Sequence, residues 1–342
     1  MNGPIIGWDI GGANVKAARV GCPERSGPAT VERPFALWRE PLLLPDVLVQ
    51  IADRLGPVKA MAVTMTAELA DCFETKREGV GFVLGAIDRA FPAIDAWIYG
   101  VDDAFRPSRA ARAQTDLVAA ANWMASATVA ARMFPDAIFV DVGSTTTDII
   151  PIVRGRVSVR GRSDPDRLRS GELIYTGVLR TPVSAIVRSV PLRGTRCRVA
   201  AEQFAVAADA HQWLGLIAEH DYTCETPDGR GRSRTESGAR LARMVCADCE
   251  TLTPEEIMLI ASAVVRGQVR QIASGLRQVI RRLGADCPVD AIVVGRGAFL
   301  AQTAAMEVGL TVRAPAETDV TQAFATPAAA VARLLLEWTP HA

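Results

Sequence analysis

The sequence predicts an α/β fold with two domains and a cleft between them. Three observations support this. An apolar strand that ends at an aspartate and a glycine turn occurs twice, once in each half of the chain. Strands and helices alternate along most of the length. The chain has 342 residues, 49% of them hydrophobic, which suits two domains with a substantial core.

The first hairpin is predicted over residues 4–20. An apolar strand carries Asp9, a turn follows at Gly11 and Gly12, and a second apolar strand leaves after Asn14. This pattern brings a carboxylate and several backbone N–H groups into one small volume. It therefore indicates a phosphate cradle with an acid that can direct a metal ion.

The second hairpin is predicted over residues 137–153 and repeats the pattern at Asp141 and Gly143. Two such hairpins, both facing the cleft, could grip a polyphosphate from both sides. A third element is a buried-type strand at 291–294 that runs into the turn Gly295-Arg296-Gly297 and then a helix. Two glycines at this spacing suit the close approach of backbone to a nucleotide or a similar ligand.

The other elements complete the alternation. Residues 1–115 are predicted as the first domain and residues 116–320 as the second, with a C-terminal helix within 321–342 packing back on the first. The further strands are expected at 58–65, 97–100, 157–159, 174–175 and 310–313, and the helices at 114–133, 200–216, 235–246, 254–283 and 321–338.

Composition excludes several classes of partner. The net charge is zero and the pI about 6.8, so neither nucleic acid nor an anionic membrane is expected to bind. Asp9 inside the first apolar run argues against a signal peptide. The seven scattered cysteines need no disulfide framework, and the protein is expected in the cytoplasm. Cys246 and Cys249 have metal-ligand spacing but lack a second pair, so ordinary helix-end cysteines are favoured.

The three elements, in this order, resemble the actin, sugar-kinase and heat-shock ATPase superfamily. That resemblance implies the duplicated, ribonuclease H-like fold of actin-like ATPases. Two segments narrow the resemblance from the superfamily to one family: Thr-Met-Thr-Ala-Glu-Leu at 64–69, and Gly-Glu-Leu-Ile-Tyr-Thr-Gly-Val-Leu-Arg-Thr-Pro at 171–182. With them, the chain resembles the hydantoinase/oxoprolinase-related proteins of methanofuran biosynthesis and the tetrahydromethanopterin-linked one-carbon pathway.

This resemblance implies a transferase reaction. An aminomethylfuran-methyl diphosphate would condense with the phenol of a tyramine or tyrosine derivative, releasing diphosphate and forming an aryl ether. Mg²⁺ is the expected cofactor, and ATP is left open but not favoured. The expected partners are the diphosphate and the phenolic amine, and a homodimer is left open.

Site residues follow from where charge develops in that reaction. Asp9, Asp141 and, as a third, Asp148 are expected to direct the metal. Lys16 is one of three lysines beside 35 arginines, so it is either a point charge for phosphate or a surface residue at a strand end. The residues expected to line the phosphates or another bound group are Gly11, Gly12, Asn14, Gly143, Ser144, Thr145, Thr146, Gly295 and Gly297.

The general base is expected to be Glu68 or Glu172, because the three histidines lack a neighbouring nucleophile pattern. Tyr175, Thr176 and Arg180 would position the substrate. A turn or capping carboxylate is the alternative for Glu172. Eleven arginines between residues 154 and 198 form either an anion funnel or, for most of them, a solvated face.

Two rival functions stay open at this point. One is an ATP-dependent kinase or a hydantoinase/oxoprolinase-like ATPase, since all three nucleotide-fold elements are present. The other is a non-catalytic switch regulated by nucleotide. A kinase consumes ATP with an acceptor, a switch binds nucleotide without turnover, and the transferase releases diphosphate without any nucleotide.

Overall fold

The structure is a computed structural model that describes residues 3–21, 29–313 and 326–338. Two compact units are present within these residues, and the second interrupts the first in sequence. One unit comprises the described residues of Met1–Asp136, Ile152–Asp164 and Pro315–Ala342, and the other those of Ala137–Pro151 and Pro165–Ala314. The division at residues 115 and 116 stays a prediction. Cys22, His341 and the predicted helical residues 321–325 lie outside the described residues.

The first unit contains a six-stranded sheet in the order β3-β2-β1-β4-β5-β6. Strands β1 and β2 form the antiparallel hairpin that the sequence predicts, and β4 and β5 continue in parallel. In chain order the strands are Ile5–Gly11 (β1), Asn14–Val20 (β2), Ala29–Pro34 (β3), Ala60–Thr66 (β4), Asp95–Tyr99 (β5) and Phe105–Pro107 (β6).

Helices cover this sheet, and the last of them comes from the C-terminal part of the chain. A side chain at Gly7 on β1 would overlap the backbone of that last helix at Ala328 and Ala332, so glycine allows the helix to lie directly on the strand. The helices of this unit are Leu44–Leu55 (α1), Lys76–Ala90 (α2), Ser108–Ala113 (α3), Thr115–Val118 (α4), Asn122–Met133 (α5) and Pro327–Glu337, numbered α12 below.

The predicted single helix over residues 114–133 is wrong. The chain forms α4, leaves the helix at Ala119, and starts α5 only at Asn122. Between them Ala120 has φ 48°, a left-handed conformation that a continuous right-handed helix cannot contain. This break matters because the backbone of Ala120 lies beside Glu68.

The second unit is built on a sheet in the order β10-β8-β7-β13-β14, and the predicted hairpin of residues 137–153 is confirmed as β7 and β8. A separate two-stranded hairpin is formed by β11 and β12. In chain order, the strands from residue 137 onward are Ala137–Val142 (β7), Thr147–Val153 (β8), Arg156–Val157 (β9, which pairs with the end of β8), Leu173–Ile174 (β10), Ser189–Leu192 (β11), Thr195–Arg198 (β12), Asp290–Val294 (β13) and Thr311–Arg313 (β14).

The long helix Pro254–Leu283 (α10) has the bounds predicted from the sequence. Thr253 accepts a hydrogen bond from the Glu256 N–H at its start, and Gly284 with φ 57° ends it. Within the described residues, every helix is too short or too polar to cross a lipid bilayer. The other helices are Asp164–Ser170 (α6), Val183–Ile186 (α7), Ala207–Trp213 (α8), Arg234–Arg243 (α9) and Ala298–Glu307 (α11).

Candidate active site

In the first unit, the strand register places three predicted groups side by side. Asp9 on β1 lies opposite Lys16 on β2 and next to Thr64 on β4. Directly paired residues project from the same face of a sheet, so a carboxylate, an ammonium and a hydroxyl share one face. Asp9 and Thr64 are buried there, and the Thr64 hydroxyl has no hydrogen-bond partner in the described part of the chain.

The turn between β1 and β2 is held by the chain that follows β3. Phe35 and Leu37 donate their N–H groups to the carbonyls of Ala13 and Gly12, at 3.0 and 2.9 Å. A Cβ at Gly11 would lie 3.0 Å from the Asn14 carbonyl oxygen. Glycine therefore keeps this turn tight, as a phosphate cradle requires.

Glu68 follows β4 and is almost fully buried. Burial raises its pKa to about 7, an effect that the backbone N–H groups of Glu68 and Ala120 and the charge of Lys76 oppose. Its Oε2 atom accepts no hydrogen bond from the residues that the structure describes. A buried carboxyl that titrates near neutral pH suits a general base.

Helix α2 fixes the position of Glu68 through a glycine. A Cβ at Gly79 would overlap the Glu68 carbonyl oxygen and lie 2.7 Å from its Cα. The helix can therefore approach the Glu68 backbone only without a side chain at this position. Gly79 is one of three glycines in this helix, and its sequence gives no signal that separates it from Gly81 and Gly85.

In the second unit, the loop Gly143–Thr146 joins β7 to β8. Gly143 donates its N–H to the Thr146 carbonyl at 2.9 Å, which closes the turn. The hydroxyls of Ser144 and Thr145 lie 3.5 Å apart. Asp141 is the last residue but one of β7, so its carboxylate precedes the loop, as the sequence predicts.

The segment 176–181 supports this loop from outside. Val178 donates its N–H to the Gly143 carbonyl at 2.9 Å, and Arg180 donates to the Ser144 carbonyl at 3.0 Å. A side chain at Gly177 would overlap the backbone of Ser144 and Thr145. The predicted substrate-positioning segment is therefore the scaffold of the second loop.

Thr176 and Tyr175 have different surroundings. Thr176 is buried, and its hydroxyl accepts a hydrogen bond from Gln268 of α10 at 3.0 Å. Gln268 also donates to the Gly177 carbonyl at 2.8 Å. Tyr175 is 67% exposed. Gln268 is buried and was not predicted as a site residue. The signal that could have identified it is a polar residue on the apolar face of an amphipathic helix.

The Gly-Arg-Gly turn after β13 lies against the strand end that carries Asp141. Gly295 has φ 87°, and a Cβ there would overlap Oδ1 of Asp141. Gly297 donates its N–H to the Val142 carbonyl at 3.0 Å. Close packing on Asp141 and Val142 accounts for both glycines, and their predicted role in binding a nucleotide stays a prediction.

Asp148 and Glu172 both form ion pairs. Asp148 pairs with the buried Arg167 at 2.7 Å. Glu172 pairs with Arg282 at 2.9 Å and accepts a hydrogen bond from Ser170 at 2.8 Å. A carboxylate already neutralised in this way is less available as a metal ligand or as a base. The described residues contain no group of three or more His, Cys, Asp or Glu side chains arranged to hold a metal.

Three arginines lie near residues 223–224 of the second unit, either in contact with them or close enough for their charge to act on them. Arg296 donates to the Thr223 hydroxyl at 3.3 Å. Burial raises the pKa of the neighbouring Cys224 thiol to about 11, while the charges of Arg180 and Arg232 oppose this rise. The Arg180 backbone already contacts Ser144. The charges acting on Cys224 therefore come from two arginines and from Asp209, and the charge of Arg180 is the one nearest the second loop in sequence.

His211 does not have the character of a base. Its Nδ1 lies 2.8 Å from the Val178 carbonyl oxygen, and burial lowers its pKa to about 4. The ring is therefore neutral at physiological pH. Cys246 and Cys249 are both exposed free thiols.

Comparison with known proteins places these features in a family. The hydantoinase/oxoprolinase family matches residues 59–337. The chain is 35% identical over 333 residues, 97% of each protein, to the (4-{4-[2-(gamma-L-glutamylamino)ethyl]phenoxymethyl}furan-2-yl)methanamine synthase of Methanocaldococcus jannaschii. It is 33% identical over 171 residues to the protein of the same name from Methanococcus vannielii. That alignment covers 50% of this chain and 75% of the relative.

Among solved structures, the chain is similar to nucleotide-free acetone carboxylase. The TM-score is 0.57 at 10% identity, and the alignment covers 95% of this chain and 70% of that one. This likeness concerns the fold alone, and it confirms the predicted α/β, actin-like ATPase fold class. Because the family match spans most of the chain and the Methanocaldococcus jannaschii relative matches nearly all of it, this chain belongs to the hydantoinase/oxoprolinase family.

Proposed function

We propose that this protein is a transferase of methanofuran-type cofactor biosynthesis. It joins an aminomethylfuran-methyl diphosphate to the phenol of a tyramine derivative and releases diphosphate. The observation that carries this proposal is the 35% identity, over 97% of both chains, to a synthase named for a phenoxymethyl furan with a gamma-glutamylaminoethyl group. That name corresponds to gamma-glutamyltyramine as the phenol, and we propose the same acceptor here.

Glu68 is proposed as the general base. A phenol has a pKa of about 10 and must lose its proton to become a good nucleophile. Glu68, with its pKa raised to about 7, accepts this proton. The phenolate oxygen then forms a bond to the furfuryl carbon. The bond from that carbon to the diphosphate oxygen breaks, and its electron pair leaves with diphosphate.

The cations and backbone N–H groups at the two loops are proposed to stabilise the leaving diphosphate. Arg180 supplies positive charge next to the second loop, Arg232 and Arg296 supply it near Cys224 and Thr223, and Lys16 stands opposite Asp9 at the first loop. Negative charge grows on the leaving oxygen as the bond breaks, so fixed cations lower the energy of the transition state more than that of the substrate.

Asp9 and Asp141 fit a role in holding Mg²⁺. Mg²⁺ is commonly held by one or two carboxylates together with substrate phosphates and water, and each of these two acids is of that type. When bound, Mg²⁺ would neutralise charge on the diphosphate. Asp148 and Glu172, which form ion pairs with Arg167 and Arg282, are proposed to hold β8 and β10 in place instead.

ATP is not part of this proposal. Packing on Asp141 and Val142 accounts for Gly295 and Gly297, so the turn that suggested a nucleotide has a reason that needs no nucleotide. We also propose a cytoplasmic location, since the six described cysteines are all free thiols, as a reducing compartment would keep them.

The test is a reaction without nucleotide. The protein is incubated with the furan diphosphate, gamma-glutamyltyramine and Mg²⁺, the ether is measured by mass spectrometry, and released diphosphate is measured in parallel. Ether and diphosphate in equal amounts are expected, with neither from Glu68→Gln. ADP formed from ATP with an acceptor, and no ether without ATP, would replace this function with that of a kinase.

A further inference from the structure

A surface pocket of about 450 Å³ lies on the second unit, between residues 186–189, strand β12 and helix α10. Three arginines line it: Arg188, Arg196 and Arg270. No carboxylate is among its described lining residues. In a chain with a net charge of zero, three guanidinium groups without an acid in one pocket indicate a site for an anion.

A glycine on α10 creates the shape of this pocket. A Cβ at Gly267 would lie 2.7 Å from a methyl group of Ile186 and 2.8 Å from one of Val187. Its absence lets residues 186–187 approach the helix closely. Arg188 is thereby brought beside α10, where Arg270 follows Gly267 after about one helical turn.

The arginines differ in what they already bind. Arg196 donates to the Ser189 hydroxyl from Nε at 3.0 Å and from Nη2 at 2.6 Å, which fixes its guanidinium. The guanidinium groups of Arg188 and Arg270 make no hydrogen bond or ion pair within the described residues. Two charged donor groups are therefore available to a carboxylate.

The pocket also contains an acceptor. Gln271 donates its Nε2 to the Ala185 carbonyl at 3.1 Å, which orients the amide. Its Oε1 is buried and accepts no hydrogen bond within the described residues. An anion such as diphosphate offers this oxygen nothing, whereas an ammonium group offers donors. Arginines for a carboxylate and a carbonyl oxygen for an ammonium match the free end of an amino acid.

We propose that this pocket binds the α-amino acid end of the gamma-glutamyl group of the phenolic acceptor. This inference rests on the proposed function. The α-carboxylate lies against Arg188 and Arg270, and the α-ammonium donates to Oε1 of Gln271. The phenol and the amino acid are opposite ends of a long acceptor, so the pocket holds one end while the other end reacts.

Helix α10 connects the pocket to the second loop. Gln268, which holds Thr176 and Gly177, precedes Gln271 by three residues, a rise of about 4.5 Å along the helix. Gly177 in turn packs on Ser144 and Thr145. The pocket and the proposed diphosphate loop therefore share one rigid support.

The test compares two acceptors, gamma-glutamyltyramine and tyramine. Arg188→Ala and Arg270→Ala are each expected to raise KM for gamma-glutamyltyramine at least about fivefold, the effect of losing one charge-assisted hydrogen bond, while kcat stays unchanged. KM for tyramine should not change. Arg266→Ala is the matched control, because Arg266 is also exposed on α10, one turn earlier, and does not line the pocket.

Calorimetric binding of gamma-glutamyltyramine separates this inference from the proposed function. Binding that Arg270→Ala weakens and Arg266→Ala preserves supports the pocket even if no ether is formed. Ether formation with an unchanged KM in Arg188→Ala and Arg270→Ala overturns the pocket and leaves the function standing. Inorganic diphosphate that competes with gamma-glutamyltyramine in the wild type, but not in Arg270→Ala, also overturns it, because the pocket would then be a general anion site.

Discussion

The backbone carbonyl of Glu68 occupies the space that a side chain at Gly79 would need. The position of the proposed base therefore depends on a residue that has no side chain and takes no part in the reaction. Glu68 is held by close packing and lies beside the left-handed backbone at Ala120, and its pKa stays raised although the charge of Lys76 lowers it.

Gly79→Ala is expected to fold and to lose activity. The added methyl group displaces the Glu68 backbone, and a shift of about 1 Å in a catalytic group can reduce the rate about a hundredfold. We expect kcat to fall by about tenfold to a hundredfold and the pH profile to shift. Gly81→Ala is the control: it lies in the same helix with no atom within 4 Å of its Cβ, and should keep full activity. Equal kinetics in the two variants would contradict the positioning role.

The pH dependence of turnover should report Glu68. Its pKa of about 7 predicts that kcat/KM rises with pH up to about 7 and then levels, since only the carboxylate accepts a proton. Glu68→Gln should lower turnover at least about a hundredfold. A profile without an ionisation between pH 6 and about 8 would contradict the assignment.

The stability of the protein should also depend on the protonation of Glu68. In contrast to turnover, this contribution to stability should fall as the pH rises. The pKa of Glu68 is higher in the folded state than its ordinary value of 4.5, so the folded state binds the proton more tightly. Its favourable contribution is complete below about pH 4.5 and is lost as the pH rises through 7. In denaturant unfolding, the free energy of unfolding of Glu68→Gln should therefore increase relative to that of the wild type between pH 5 and 8, by up to about 3 kcal/mol. A difference that does not change with pH would count against burial of the charge.

Gly295→Ala and Gly309→Ala form a matched pair in the second unit. Both glycines have positive φ, 87° and 85°, so both variants bear the same conformational penalty of about 1 kcal/mol. Only at Gly295 does the new Cβ meet a side chain, that of Asp141, whereas no atom lies within 4 Å at Gly309. Gly295→Ala should therefore be the less stable variant in denaturant unfolding, and it alone should lose turnover. Similar losses in both would show that φ alone matters.

Asp9→Asn and Asp141→Asn should each fold and lose Mg²⁺-dependent turnover by at least about a hundredfold. This is the scale of losing one electrostatic contact to developing charge. Asp148→Asn is the comparison, because its carboxylate pairs with Arg167 and its loss should reduce stability more than chemistry. Unchanged kinetics in both Asp9→Asn and Asp141→Asn would refute their roles.

The sequence predicted the elements whose signals are local. Both hairpins and the bounds of α10 follow from apolar periodicity and from caps such as Thr253. The break at Ala120 could not be predicted, because a run of alanines favours a helix and only tertiary packing selects a left-handed residue there.

The candidate site was predictable to the level of residue types. The acids and loop glycines could be named, but the choice between Glu68 and Glu172 required their surroundings, burial for one and a pair with Arg282 for the other. The roles of Gly79 and Gln268 depend on contacts between segments distant in sequence. The pocket at Arg188 likewise exists only because Gly267 lets two segments meet.

The seating of α12 on β1 at Gly7 has a consequence for biosynthesis. The first strands of the first unit leave the ribosome before any residue of the second unit, yet the helix that covers them is encoded after the whole second unit. The apolar face of β1, β2 and β4 therefore remains exposed on the nascent chain until translation has passed residue 337. We expect the second unit to fold first, and the early strands to need protection from a chaperone during that interval.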